Sequence, residues 1–300
     1  MRIKLPLSAI LLAIALGAAA QDIDPTKYGV PKDWPSTREW ATPEVLEGLK
    51  AAYAKDVTGQ VAPQILAIIQ GWYRVTGKDV EAAEYFELIS QWRLAGDARY
   101  RAKEHEKAAA DYVRAGRHEL AARSLKELGK MDEAKAAYAK AAEKFEAQRE
   151  WSEAAYCHRN AGNADKSAEC FVKHGQQCEE RGELDLAAQA YRNAGDQQRA
   201  KAVFAKSAAQ HESKEDWKAA ADSYRWSDNS TKAAECYERA GEFRTASYFY
   251  FKAKMIPQGR AAAAKAAAQL EAQKDWRNAA DCYRNAGNSV KTAECFEQAG

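Results

Sequence analysis

The sequence predicts an all-α fold, a right-handed α-solenoid of stacked helical hairpins. Three observations predict it. One template recurs twelve times from Ala108 to the end of the chain: a small residue, three residues, a large residue, two residues, a small residue. Its copies are mostly 13 or 20 residues apart, and one step of each makes a period of 33 residues. No proline lies between Pro63 and Pro257, which a loop-rich β-protein of this length would not sustain. Spacings of 0, 4 and 7 put the template residues on one helical face. Alanine on either side of a ring lets two helices approach while the ring fills the gap. One such helix cannot bury its stripe alone, so neighbours must stack.

The elements follow in order. Arg2 and Lys4 precede an apolar run of 13 residues, Leu5 to Gly17, and Ala18-Ala19-Ala20 comes before Gln21. Residues 1–20 therefore read as a signal peptide, too short in its apolar run to span a bilayer. An exported chain, periplasmic or secreted, is expected to begin at Gln21. No cysteine precedes Cys157, so the leader offers no lipid attachment point. The 45 basic side chains include Arg2 and Lys4, and the remaining 43 match the 43 acidic ones. That balance argues against a nucleic-acid partner, which needs a basic surface for phosphate. Apolar residues at 46% and charged residues at 29% argue against both a disordered chain and a membrane span.

Residues 21–43 carry Pro25, Pro31, Pro35 and Pro43 with Trp34 and Trp40, and read as an extended arm. Such an arm runs along the folded body or reaches a second copy of the chain, which would make it a route to self-association. Residues 44–104 form an N-terminal helical segment, with helical apolar spacing around Ile65, Ile68, Ile69 and Trp72. Residues 105–300 are the solenoid, in copies such as Ala154-His158-Ala161, Ala187-Tyr191-Ala194 and Ala279-Tyr283-Ala286. Gly116, Gly129, Gly162, Gly195, Gly241 and Gly287 follow the last template position, where a helix end favours glycine. The segment at Pro257-Gln258-Gly259 reads as irregular. The chain stops at Gly300 after a complete template helix with no polar cap, so a further segment or a partner is expected there.

The run Gly182, Ala187, Tyr191, Ala194 resembles the second-helix signature of the tetratricopeptide repeat. Trp151, Trp217 and Trp276, each three residues before a template alanine, are similar to that family as well. The likeness covers about residues 100–300 and implies the architecture. The Leu-Gly pair of the family's first helix and its closing proline are missing, and the 13/20 alternation implies helices of unequal length. In these traits the chain is closer to the helical hairpins of soluble NSF-attachment proteins. Their cytosolic role in membrane fusion is not implied, because the leader contradicts it.

Cys157, Cys170, Cys236, Cys282 and Cys295 occupy one template slot, directly before the large residue. Two readings stand: compact buried thiols, or disulfides permitted by export. Hairpins turning at Gly162-Asn163-Ala164 and Gly287-Asn288-Ser289 would pair Cys157 with Cys170 and Cys282 with Cys295. Cys170, His174 and Cys178 fall at i, i+4 and i+8, a spacing that suits a zinc or copper ligand set, although Gly175 interrupts the stripe.

Two residues after each large position the copies hold polar side chains, except at Trp226. An aromatic in a solvated slot is a candidate contact anchor for a protein partner. Tyr248 and Phe251, beside the template Tyr250, are candidates too, unless the irregular segment after them folds over their rings. No phosphate loop, nucleophile elbow or His-Glu-x-x-His pair is present, and no cofactor motif, so no enzyme activity is expected. The expected function is a non-catalytic protein-interaction scaffold that binds a peptide or helix. The alternatives are a structural subunit of a cell-envelope assembly and, on the Cys/His cluster, a redox or metal-handling protein.

Overall fold

A computed structural model describes residues 24–32, 34, 39–55, 57 and 62–300. The leader at 1–20 lies outside the described residues. Among the described residues the chain is all-α. After a short 3-10 turn, Pro25–Tyr28, come α1 (Pro43–Lys55), α2 (Ala62–Thr76), α3 (Asp79–Leu88), α4 (Trp92–Arg101), α5 (His105–Arg114) and α6 (His118–Glu127). They are followed by α7 (Met131–Ala147), α8 (Trp151–Ala161), α9 (Ala164–Glu180), α10 (Leu184–Asn193), α11 (Gln197–Ser213) and α12 (Trp217–Trp226). The last five are α13 (Ser230–Arg239), α14 (Phe243–Lys252), α15 (Ile256–Ala272), α16 (Trp276–Ala286) and α17 (Ser289–Ala299). None is long and apolar enough to cross a membrane. The chain divides into two units, Met1–Ala141 and Ala142–Gly300, and α7 runs across the division.

In the first unit the helices from α1 to α6 pack each on its successor. The described part of the arm is built into this unit's own core. Val30, Trp34 and Trp40 are buried with Leu49, Ile65, Ile69, Trp72 and Phe86. Trp40 Nε1 donates to the Trp34 carbonyl at 3.0 Å, and Trp72 Nε1 donates to the Thr42 carbonyl at 2.8 Å. Both indoles thus bury their rings and satisfy their N–H groups. The Trp34 ring fills the place where any side chain on Gly71 would stand, with its nearest carbon 2.1 Å from a Cβ built there. The described residues of the arm lie along this unit.

The 13-residue step also begins earlier than residue 105, because α3, α4 and α5 start at Asp79, Trp92 and His105. The template is masked in α4, whose large slot between Ala95 and Ala102 holds Arg99 rather than a ring. In the second unit, from α8 to α17, each helix again packs on its successor. This neighbour-on-neighbour order is that of an α-solenoid. Template alanines such as Ala154, Ala187, Ala220, Ala233 and Ala279 are fully buried, and the rings of the same copies, His158, Tyr191, Tyr224, Tyr237 and Tyr283, are buried too.

One expectation is corrected here. The segment at Pro257-Gln258-Gly259 is the first turn of α15, with Pro257 in the turn where its missing N–H costs nothing. It is an unrecognised template copy, Gly259-Ala263-Ala266, in which the large residue is absent. Phe251, from α14, supplies the ring instead and lies against Gly259, 2.8 Å from a Cβ built there.

The hairpin turns follow from local chemistry. At Gly162 (φ 87°) the α8 end closes with the Asn163 N–H on the His158 carbonyl at 2.8 Å, a geometry that suits glycine. Copies without glycine force a side-chain residue into the same left-handed region, for example Lys254 and Lys274, both at φ 62°.

Candidate functional site

Two clefts of the second unit that carry exposed rings lie between helices two apart in the chain. Trp226, the last residue of α12, is 45% exposed. Its ring stacks on Phe204 of α11 at 6.1 Å and 24°, and the Arg192 guanidinium of α10 lies 4.3 Å from its centroid. Arg225 adds a second cation at 5.2 Å. The indole is therefore held in place by its neighbours while part of it stays open to solvent. The cleft beside it, about 320 Å³, is lined by Asp185, Arg192, Phe204, His211, Asp222 and Trp226 among others. It presents both signs of charge around an aromatic floor, a composition suited to a protein segment.

Tyr248 and Phe251 share a second cleft of about 250 Å³ with Arg244, Ser247 and Asn285. Tyr248 is 63% exposed and stands edge-on to Phe249. Phe251 is only part-exposed, because one side of its ring packs on Gly259. The three sequence-nominated rings thus fall into two clefts, and Phe251 also fills part of the core.

Asp185 joins the floor of the Trp226 cleft to a polar cluster. Ser207 Oγ donates to Asp185 Oδ1, Ser223 Oγ donates to the same oxygen at 3.4 Å, and His211 Nε2 meets Oδ2 at 2.8 Å. Burial works to raise the Asp185 carboxyl, but the hydrogen bonds from Ser207 and His211 outweigh it and hold the group below the ordinary range. Serine, histidine and aspartate are all present, yet both hydroxyls reach the carboxylate and neither reaches the imidazole. Serine activation needs the imidazole between the other two.

A second pattern runs through the interior. In five copies the polar head at the large slot reaches a glutamate 12 residues earlier. Tyr191, Tyr224, Tyr250 and Tyr283 donate to Glu179, Glu212, Glu238 and Glu271 at 2.5 to 2.7 Å, and Arg99 reaches Glu87 at 2.7 Å. The residue one slot before the next large position completes a three-member cluster. It is Cys236 beside Glu212, at 3.6 Å, and Asp111 in the ion-paired cluster of Arg99 and Glu87. The sixth copy replaces the phenol by imidazole: His158 Nε2 meets Glu146 Oε1, and Cys170 Sγ lies 3.9 Å from that oxygen. The recurring glutamate was visible in the sequence at a constant offset, but an acid at the end of a helix reads as a solvated group until its partner is seen.

No disulfide joins any of the six cysteines, and all six are buried. The expected pairs Cys157–Cys170 and Cys282–Cys295 are not formed; Cys170 turns instead toward Glu146 on the helix before its hairpin. Burial, then the Glu146 carboxylate, pushes the Cys170 thiol up to about 11, and burial with Glu212 does the same to Cys236. Cys170, His174 and Cys178 do not converge as one ligand group. Cys178 Sγ and His174 Nε2 lie 3.4 Å apart as a separate pair. The chain matches no protein-family model, and no match was found among curated proteins.

Proposed function

We propose that this protein is an exported, non-catalytic interaction scaffold whose clefts between alternate helices bind a peptide or helix from a protein partner. The observation that carries the reading is Trp226. Eleven other copies place a polar side chain at its slot, and its ring is held by Phe204 and Arg192 yet left 45% exposed. A rigidly held aromatic contributes contact area with little entropy left to lose on binding. Tyr248 gives a second anchor farther along the same unit. Arg192, Arg225, Asp185 and Asp222 supply polar partners around the indole. The repeats are read as tetratricopeptide-like, right-handed, and nearest in style to the NSF-attachment hairpins. Export to a periplasm or beyond rests on the leader in residues 1–20.

Crosslinking in cell-envelope extract followed by affinity capture tests this, with the wild-type chain beside Trp226→Ala and Tyr248→Ala. The expected result is a specific partner retained by the wild type and reduced at least tenfold by Trp226→Ala, with helicity and Tm nearly unchanged. Equal capture by Trp226→Ala would refute the assignment of the cleft.

A further inference from the structure

We propose that Glu146, His158 and Cys170 form a binding site for one divalent transition-metal ion of the zinc class. The site stands apart from the clefts and does not depend on the scaffold reading. Its three donor groups come from three consecutive helices, α7, α8 and α9, and all lie within 4.8 Å of one another. Donors around a four-coordinate zinc ion stand roughly 3.3 to 3.7 Å apart, given bonds of about 2.0 Å to nitrogen or oxygen and 2.3 Å to sulfur. Shifts of about an ångström in flexible side chains therefore bring all three into bonding range.

The other copies sharpen the argument. The same three positions elsewhere hold Glu212, Tyr224 and Cys236, or Glu271, Tyr283 and Cys295, where a phenol donates to the glutamate. Among the described residues, only the copy at His158 brings nitrogen, sulfur and carboxylate donors together within 4.8 Å. The His158 side chain is 2% exposed, and the nitrogen it turns toward Glu146 is Nε2. Mixed imidazole, thiolate and carboxylate ligation selects zinc and its neighbours over magnesium or calcium. Glu146 is 35% exposed on the solvent side, which gives the ion a way in and a place for water as fourth ligand.

The experiment titrates cobalt(II) into the full chain in reducing, chelator-treated buffer, then adds zinc. The expected result is one cobalt per chain with a thiolate-to-cobalt charge-transfer band and the intense visible bands of a four-coordinate ion, both lost on adding zinc. His158→Tyr installs the residue found in the sister copies, so the fold and the bond to Glu146 are kept while the band is lost. Cys170→Ala loses it as well, whereas His174→Ala and Cys178→Ala keep it. A wild-type chain with no cobalt band overturns the proposal, and so does a band that persists in His158→Tyr or disappears in His174→Ala.

Discussion

The tyrosine at the large slot does two jobs with one side chain. Its ring fills the gap between alanine-faced helices, and its hydroxyl crosses to a glutamate on the helix before. Tyr191 is the clearest case, almost wholly buried and 2.7 Å from Glu179. Tyr191→Phe keeps the ring and removes a hydrogen bond to a charged group, so it should cost about 1 to 2 kcal/mol in urea unfolding. A loss below a few tenths would show that the bond contributes nothing net. The thiols make a second residue-scale case. All six are buried, and burial pushes the Cys170 and Cys236 thiols up, so they should react with a maleimide only after unfolding, and the denatured, unreduced chain should then yield six free thiols. Fewer than six would restore the paired-cysteine reading. The cysteine slot and its burial were legible in the sequence, because serine and alanine take the same place in other copies. The direction Cys170 faces was not, since it depends on which helix of a neighbouring hairpin supplies the glutamate.

At the scale of the helix, glycine marks where one element admits another's ring. Gly175 in α9 interrupts an otherwise regular stripe, and the reason lies in α10: the Tyr191 ring stands 2.8 Å from a Cβ built at Gly175. Alanine is the better helix former by about 1 kcal/mol, yet Gly175→Ala should destabilise by about 1 to 3 kcal/mol, because the ring must move. A stabilised variant in thermal melts would mean that the contact is loose. Lys254 shows the converse. Its φ of 62° and the absence of a side-chain role at that turn lead to a gain of about 0.5 kcal/mol for Lys254→Gly. Helix existence, helix face and the glycine-closed turns were all readable from spacing. Two template copies were hidden, and for related reasons: α4 carries Arg99 in the large slot, and α15 carries Ala263 there while Phe251 reaches over from α14. A template defined by one ring per helix misses a helix whose ring is borrowed or replaced by a charge.

At the scale of the whole molecule, Asp111 of the first unit should respond to pH with the opposite sign to the glutamates of the second. In the second unit, Glu212 and Glu271 are held below the ordinary range, first by hydrogen bonds from Tyr224 and Tyr283, and Glu238 first by Lys265. Groups lowered on folding stabilise above their unfolded pKa, and that stability is lost as pH falls through the folded values. In the first unit, burial and then the neighbouring Glu87 push Asp111 up to about 6, with Arg99 opposing. The folded first unit then binds the extra proton between about pH 4 and 6, and loses stability as pH rises through that window. Hydrogen exchange, corrected for intrinsic rates, should show α12–α17 weakening from pH 5 to pH 3 and α3–α5 weakening from pH 4 to pH 6. Parallel behaviour in both units would contradict this assignment of charges.

The most direct test of the central claim sets two neighbouring residues of α12 side by side. Tyr224 is 4% exposed and bonded to Glu212, whereas Trp226 is 45% exposed over its cleft. Thermal melting and partner retention should be measured together for Tyr224→Ala and Trp226→Ala. The scaffold account requires Tyr224→Ala to lower Tm by many degrees, while Trp226→Ala melts like the wild type and releases the partner. A Trp226→Ala chain that melts as early as Tyr224→Ala, or that keeps the partner, contradicts it.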